Sequence, residues 1–314
     1  MSAEETIVPR RSLLYMPGAN RRALEKAQSI DCDTIIFDLE DAVAGSAKAQ
    51  ARAQVEAALG DYQYSYRDLV VRCNALETEW GLDDLRTFAT APISALLFPK
   101  IESSEQISRI KKELAALGST LPLWIMIETA SGVLNLQHVA ADSAVTCLVM
   151  GTSDLVKELR AQHTPSRSNL DYALQHCVLV ARHLRKDIFD GVHLDFRNLQ
   201  SLRDACEAGR AMGFDGKTLI HPDQVSTANE IFGYGQDDLD HARAVLDTWN
   251  RASEQGRGVA ELDGQLIENL HAEGARRIVA QAQALARRET TAGGRVSTPI
   301  SVSYTHLRAH ETPC

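Results

Sequence analysis

This sequence of 314 residues lacks the features that mark several large classes of protein. It has no apolar run near the length of a membrane span. Its net charge of −9 argues against a nucleic-acid or anionic-membrane partner. No Gly-x-Gly-x-x-Gly motif opens a predicted helix, which disfavours a dinucleotide-binding sheet. The first residues are acidic and polar, unlike a signal peptide.

The six cysteines show no paired spacing and mostly stand in apolar surroundings. They indicate reduced, buried thiols rather than a disulfide framework or a zinc site. Together with the acidic start of the chain, this predicts a cytoplasmic protein.

The end of the chain looks unlike the rest. Residues 302–312 can be written codon by codon as a transposase sequencing adapter read in frame, so we expect residues 301–314 to be an assembly artefact. Residues 291–300, rich in Thr, Gly, Ser and Pro, are predicted to be a disordered tail. Resequencing the 3′ end of the gene tests the first expectation, and a clean genomic read through these codons would refute it.

Short apolar runs alternate with amphipathic segments along most of the chain, a pattern typical of repeated βα units. The runs are 12–16, 34–38, 69–72, 94–98, 123–127, 145–150, 191–194 and 218–220. Eight such units favour a closed (β/α)₈ TIM barrel over an open sheet. We predict that residues 10–235 form this α/β barrel and that residues 236–290 form a helical C-terminal extension.

Two of the apolar runs lead into a carboxylate. Glu128 closes the run 123–127, and Asp154 comes shortly after the run 145–150. If the two runs are neighbouring parallel strands, they place two hard oxygen ligands side by side, which suits Mg²⁺. Taken singly, each acid has an alternative interpretation as an N-cap or a first-turn charge of the following helix. The pair predicts a magnesium site.

Polar residues follow most of the other runs as well. They include Glu40 and Asp41 after the second run, Arg72 at the end of the third and Lys100 after the fourth. Chemistry in a (β/α)₈ barrel collects at the carboxyl ends of the strands, so this distribution indicates an active site there.

Seven segments, in order along the chain, resemble the citrate lyase β-subunit-like CoA-ester lyases of the HpcH/HpaI aldolase superfamily. They are residues 11–18, 37–43, 71–74, 99–102, 127–130, 151–154 and 216–222. The resemblance implies a barrel of the phosphoenolpyruvate/pyruvate type, assembled as a homotrimer or a multiple of one. It also implies reversible cleavage of a 3-hydroxyacyl-CoA, such as malyl-CoA or citramalyl-CoA, to acetyl-CoA and a 2-oxo acid.

The resemblance also implies roles for individual residues. Glu128 and Asp154 would hold Mg²⁺, while Arg72 and Glu128 would face the substrate. Arg72, always charged and fork-shaped, can neutralise the developing oxyanion. Its alternative is a structural salt bridge with Glu40 or Asp41. We interpret these two acids as groups that orient Arg72 or metal-bound water, not as direct ligands.

Four further positions have a structural or an alternative interpretation. Lys100 has two interpretations, a contact with a CoA phosphate or a pair with Glu102. Lys217 and His221, around the eighth run, are expected to be structural. Glu268 stands where related lyases tend to have an aspartate that acts as acid/base in the neighbouring subunit. It is one methylene longer, and its alternative is a solvated first-turn acid of the last helix.

Three other functions compete with the CoA-ester lyase. They are an aldolase on free 2-oxo-4-hydroxy acids, a citrate lyase β subunit that acts on an acyl-carrier thioester within a complex, and a catalytically inactive scaffold. The predicted arm argues against the complex-bound subunit, and intact Glu128, Asp154 and Arg72 argue against the scaffold. The acyl group, the oxo acid (glyoxylate or pyruvate) and the balance between cleavage, condensation and thioester hydrolysis stay open.

Overall fold

Eight short parallel strands form a closed barrel. In the computed structural model, which describes residues 7–292, each strand pairs with the next along the chain and the eighth pairs with the first. The strands are β1 (Ser12–Pro17), β2 (Thr34–Asp38), β3 (Asp68–Arg72), β4 (Ala95–Phe98), β5 (Leu123–Ile127), β6 (Val145–Met150), β7 (Asp187–Asp190) and β8 (Gly216–Leu219). The predicted (β/α)₈ barrel is therefore confirmed, and seven of the eight predicted runs match a strand to within two residues.

Nine helices connect or follow these strands. They are α1 (Arg21–Lys26), α2 (Lys48–Asp61), α3 (Gly81–Phe88), α4 (Ser104–Ala116), α5 (Ala130–Val139), α6 (Thr152–Glu158), α7 (Asp171–His183), α8 (Leu199–Met212) and α9 (Val225–Ile231). Helix α4 shows why such segments are helical. Ser103 and Gln106 form a reciprocal capping box at its start, and Ile107, Ile110 and Leu114 recur at helical spacing on its buried face.

Alternation along the strands separates two cores. One cluster consists of strand residues alone, including Leu13, Ile36, Val70 and Trp124, and fills the inside of the barrel. The residues between them face outward and pack against the helices in a second, larger cluster. The same alternation directs Asp38 and Arg72, which end β2 and β3, and Glu128, which follows β5, towards the mouth of the barrel.

The seventh strand lies earlier in the chain than predicted. The sequence favoured residues 191–194, whereas the strand is Asp187–Asp190, which pairs with β6 and β8. The prediction was wrong because this strand begins and ends with aspartate, a residue that strands disfavour. Leu194 is exposed, and Asp195, expected at the end of a strand, lies in the loop before α8.

Both aspartates of β7 are compensated by cations from distant parts of the chain. Asp187 bonds Arg10, which precedes β1. Asp190 is fully buried and lies between Arg167 and Lys217, each with its nearest nitrogen within 2.7 Å of the carboxylate. A buried acid needs such partners, and the sequence around each aspartate does not reveal them.

A helical extension follows the barrel. It consists of α10 (Gln236–Glu254), a hairpin of β9 (Ala260–Leu262) and β10 (Gln265–Ile267), and α11 (Asn269–Ala292). Salt bridges join α11 to the amino-terminal side of the barrel, from Arg277 to Asp215 just before β8 and from Arg288 to Asp33 just before β2. The extension therefore lies on the side opposite the carboxyl ends of the strands.

Helix α11 extends two residues into the segment that was predicted to be disordered. The remainder of that segment and the suspected artefact lie outside the described residues. The five cysteines within residues 7–292 are free and buried, as expected. No helix in this part of the chain combines the length and the apolar character that crossing a membrane requires.

Candidate functional site

Arg72 and Asp38 form a buried, forked ion pair at the mouth of the barrel. The two residues end β3 and β2 and face each other in register. Arg72 Nε donates to Asp38 Oδ1 at 2.7 Å, and Nη2 donates to Oδ2 at 2.6 Å. Burial alone would lower the pKa of Arg72, but the charges of Asp38 and Glu40 help to raise it well above its ordinary value. This guanidinium is a permanent, pre-oriented cation.

Asp38 belongs to the site, although no role was predicted for it from the sequence. Besides binding Arg72, its carboxylate accepts from the N–H groups of Glu40 and Ala42 at 2.9 and 3.1 Å. It thus shapes the loop that begins at the end of β2. Its side chain faces into the barrel and stands opposite Arg72 in the strand pairing. These two features could have identified it.

Glu40, Asp41 and Lys100 surround the outer end of Arg72. Arg72 Nη1 lies 3.0 Å from Glu40 Oε2 and 3.4 Å from Asp41 Oδ2. Lys100 Nζ donates to Glu40 Oε1 at 2.7 Å, so its acidic partner is Glu40 and not Glu102, which was one of the two interpretations of this lysine. Glu40 bridges two cations because the loop after β2 and the loop after β4 meet above the barrel. The sequence could not show this.

Two inward-facing residues without a predicted role complete the floor of the cluster. The Arg72 guanidinium lies over the ring of Tyr15 at 4.8 Å, and Nη1 contacts Met126 Sδ at 3.6 Å. The Tyr15 hydroxyl lies 3.9 Å from the same sulfur. These contacts fix Arg72 from below and leave its Nη1 edge facing the mouth.

Glu128 follows β5 and is almost fully buried. Its Oε1 accepts the backbone N–H of Lys100 at 2.8 Å, where the Lys100 backbone is left-handed with φ of 52°. Within the part of the chain that the structure describes, no hydrogen-bond partner reaches its buried Oε2. Burial, then the charge of Glu40, raises the pKa of Glu128 to about 7. An unpaired buried carboxylate oxygen is costly, so Oε2 is suited to bind a cation.

Asp154 lies in the first turn of α6, which starts directly against Glu128. β5 and β6 are paired, with Ile127 opposite Met150. A Cβ added to Gly151 would fall 2.4 Å from Glu128 Oε2, so only glycine allows α6 to begin this close to the carboxylate. The structure therefore brings the two predicted acids to adjacent strand ends, with Asp154 partly exposed.

This donor set fits Mg²⁺. Mg²⁺ prefers oxygen ligands and is usually held by one or two carboxylates. The site offers the unpaired, buried Oε2 of Glu128 and a second acid, Asp154, at the adjacent strand end. No cluster of three or more His, Cys, Asp or Glu suited to a metal occurs among residues 7–292, so water and substrate would supply the other ligands.

Lys217 and His221 lie outside the cluster. The fully buried Lys217 ammonium bonds Asp190 Oδ2 at 2.6 Å. His221 Nδ1 accepts the N–H of Asp223, and its ring stacks on Phe196 at 4.9 Å. Both residues brace the loops after β7 and β8, which agrees with the structural roles expected of them.

Glu268 is separated from the cluster within one chain. It immediately precedes α11, where its N–H donates to His271 Nδ1 at 3.0 Å. Helix α11 is held at the amino-terminal side of the barrel, whereas Arg72 and Glu128 lie at the carboxyl side. The structure thus does not bring Glu268 together with the other predicted site residues of its own chain.

Comparison with known proteins gives one consistent result. The model of the HpcH/HpaI aldolase/citrate lyase family matches residues 11–222. The (3S)-malyl-CoA thioesterase of Cereibacter sphaeroides is 45% identical over 278 residues, which cover 88% of this chain and 96% of that protein. The citrate lyase subunit beta of Escherichia coli is 30% identical over 289 residues, which cover 89% and 95%.

A solved structure agrees with this result. Mycobacterium tuberculosis CitE, determined in complex with magnesium, acetoacetate and coenzyme A, is 25% identical and superposes with a TM-score of 0.68. The superposition covers 89% of this chain and 97% of that one. The resemblance detected in the sequence is confirmed: the chain belongs to the HpcH/HpaI aldolase/citrate lyase family and is an enzyme of this family, whose members include CoA-ester lyases and thioesterases.

Proposed function

We propose that this enzyme is a Mg²⁺-dependent lyase that cleaves a 3-hydroxyacyl-CoA, such as malyl-CoA or citramalyl-CoA, to acetyl-CoA and a 2-oxo acid. The observation that carries the proposal is the buried, unpaired Oε2 of Glu128 beside the fixed guanidinium of Arg72. The name of the Cereibacter relative and the coenzyme A bound to the Mycobacterium protein support a CoA thioester as the substrate class.

Each residue of the cluster has a defined task in this reaction. Glu128 and Asp154 would hold Mg²⁺, which when bound acts as a Lewis acid towards the substrate oxygens. Arg72 stabilises the negative charge that develops as the carbon–carbon bond breaks, because Asp38 and Glu40 keep its fork fixed. Asp41, more exposed than either, assists in orienting Arg72 or water.

Proton transfer is assigned to Glu268 of a neighbouring copy of the chain. The reaction needs a group that removes the hydroxyl proton, and Glu268 is too remote within its own chain, since α11 is anchored on the opposite side of the barrel. A homotrimer, or a multiple of one, would place each arm at the next protomer's barrel mouth.

This assignment predicts that two inactive variants complement each other. Glu268→Gln should lower kcat about 10²- to 10⁴-fold, the usual effect of removing a general acid or base. When subunits of Glu268→Gln and Glu128→Gln are mixed and reassembled, about a quarter of the sites in a ring should combine intact residues from both. Activity of the mixture that does not exceed the sum of the two variants would contradict catalysis in trans.

A second candidate is thioester hydrolysis. It is favoured by the 45% identity to a protein named (3S)-malyl-CoA thioesterase, since hydrolysis would give malate and free CoA rather than acetyl-CoA and glyoxylate. The two functions share the metal site and differ in the bond that breaks.

Product analysis distinguishes the candidates. Purified protein is incubated with Mg²⁺ and malyl-CoA, citramalyl-CoA or a free 4-hydroxy-2-oxo acid, and the products are separated by chromatography. Acetyl-CoA with glyoxylate or pyruvate is the expected result. Free CoA without acetyl-CoA would establish hydrolysis, and turnover of the free acid alone would overturn the CoA-ester proposal.

Mg²⁺ binding should weaken below about pH 7. The pKa of Glu128 is raised from 4.5 to about 7, mainly by burial, and its protonated form cannot bind metal. Affinity should therefore fall up to about tenfold per pH unit below that value. In the metal-free protein the raised pKa makes folding stability decline as the pH rises from 4.5 to 7, because the folded state holds a proton that the unfolded chain has lost.

Thermal unfolding with Mg²⁺ and with EDTA measures this effect. The increase in Tm caused by Mg²⁺ should be larger at pH 8 than at pH 6, and Glu128→Gln should remove the difference. An equal increase at both values in the unmodified protein would contradict the role of Glu128.

A further inference from the structure

Lys48, at the start of α2, is a buried cation that bonds backbone carbonyls. Its side chain is only 6% exposed, and Nζ donates to the carbonyl oxygens of Leu39 at 2.8 Å and Glu40 at 2.6 Å. The ammonium also lies over the ring of Trp80, 5.3 Å from its centre. No carboxylate lies within 4.0 Å of Nζ among the residues that the structure describes.

Burying an ammonium group in this way lowers the stability of a folded protein. Burial lowers the pKa of Lys48, against the opposing pull of the charges of Glu40 and Asp38. An ammonium removed from water without a direct counter-ion costs stability, and an apolar residue of similar length would fill the same space at lower cost. The presence of a lysine at this position is therefore explained better by the loop that it positions than by any stability that it adds.

The segment that Lys48 bonds is the loop between β2 and α2, residues 39–44. This loop carries Glu40 and Asp41 to the outer end of Arg72. Its outer half folds back on itself, because the N–H of Val43 donates to the Glu40 carbonyl at 3.0 Å. The Glu40 carbonyl thus joins the turn of the loop to Lys48.

A second network, which includes the salt bridge of Arg52 with Asp84, holds the same loop from the other side. Asn74 Nδ2 donates to the Leu39 carbonyl at 3.0 Å and to Asp84 at 2.6 Å. Arg52 in turn donates to Asp84 at 2.7 Å. This network stops at Leu39. The Glu40 carbonyl is bonded instead by Lys48 from below and by the N–H of Val43 within the loop itself.

We propose that Lys48 is a positioning residue, which fixes the loop after β2 so that the carboxylate of Glu40 reaches Arg72 and Lys100 together. The proposal rests on the proposed function, because it assigns Lys48 a purpose in the reaction of that site. Without Lys48 the Glu40 carbonyl loses its buried donor, the loop shifts, and Arg72 loses one of the two acids that hold its fork at the mouth of the barrel.

The test compares Lys48→Met with a matched control, Lys186→Met. Lys186 is also a partly buried lysine whose Nζ donates to two backbone carbonyls, those of Asp142 and Val145, but at the amino-terminal end of β6. Lys48→Met should lower kcat about 10- to 100-fold with KM changed less than about threefold, since small displacements of catalytic groups have effects of this size. Lys186→Met should leave both constants within about twofold, and Lys48→Arg should recover most of the loss.

Hydrogen exchange followed by mass spectrometry gives a readout that needs no substrate. Exchange in residues 39–44 should accelerate about tenfold or more in Lys48→Met and stay unchanged in Lys186→Met. If the unmodified protein turns over none of the substrates, the proposed function fails while this measurement still decides whether Lys48 fixes the loop. Unchanged exchange, or an equal loss of kcat in both variants, would overturn the proposal. If Lys48→Met does not fold, Lys48→Gln, whose shorter side chain ends in a neutral amide, is judged by the same criteria.

Discussion

Replacing Arg72 with lysine should lower kcat for carbon–carbon cleavage about 10²- to 10³-fold, the usual effect of removing one preorganised donor for a developing oxyanion. Lysine keeps the positive charge, so Asp38 is not left as an unpaired buried acid. It cannot keep the fork, however, in which Nε and Nη2 bind the two oxygens of Asp38 while Nη1 faces the mouth beside Glu40 and Asp41. The loss should therefore appear in kcat more than in thermal stability.

Arg11→Lys is the matched control for this prediction. Arg11 also makes a forked pair with a buried aspartate, since its Nε and Nη2 each lie 2.9 Å from the carboxylate of Asp33. That pair lies at the amino-terminal side of the barrel, away from the proposed site. The expected result is a similar change in Tm for both variants and a loss of kcat for Arg72→Lys alone. Equal kcat values would show that Arg72 only holds the barrel together.

Changing Glu128 to glutamine should abolish metal-dependent turnover. Glutamine is isosteric and still accepts the N–H of Lys100 through its carbonyl oxygen, so the local structure should persist. It replaces the unpaired Oε2 with an amide NH₂ group, which cannot bind a cation. We expect Mg²⁺ affinity to fall more than about 100-fold, beyond the effect of changing an outer-shell partner, and kcat/KM to fall about 10³-fold.

Calorimetric titration with Mg²⁺ and steady-state kinetics measure the two effects. Glu102→Gln is the control, because Glu102 also follows a strand at the carboxyl side of the barrel but has no assigned role. It should bind Mg²⁺ as the unmodified protein does. If Glu128→Gln binds Mg²⁺ normally, the ion does not use Glu128 and the proposed site is wrong.

The fold could be predicted from the sequence largely because its strands are buried on both faces. Continuous apolar runs such as Leu123–Ile127 and Val145–Met150 are typical of parallel strands, and eight of them separated by helices leave few alternatives to a barrel. The polar residues after these runs stood out for the same reason. Glu128 and Asp154 were recognisable because packing alone does not require an acid there.

The parts that escaped prediction depend on contacts between distant segments. The aspartates of β7 made this buried strand unrecognisable in the sequence. Their partners Arg10 and Lys217, which compensate their charges, lie 177 and 27 residues away. The two interpretations of Lys100 were a CoA phosphate and the nearby Glu102, whereas its ammonium bonds Glu40, 60 residues earlier in the chain. Lys48 begins a helix whose apolar and polar residues are not separated onto opposite faces. The local pattern therefore does not show that its ammonium is buried.

The most direct test of the account is the release of acetyl-CoA from malyl-CoA and citramalyl-CoA by the purified protein, first in EDTA and then after excess Mg²⁺ is restored. The account predicts no detectable acetyl-CoA in EDTA, full recovery with Mg²⁺, and no recovery in Glu128→Gln. Acetyl-CoA release at the same rate in EDTA and in Mg²⁺ would contradict it, because the reaction would then proceed without the cation that Glu128 and Asp154 are proposed to hold.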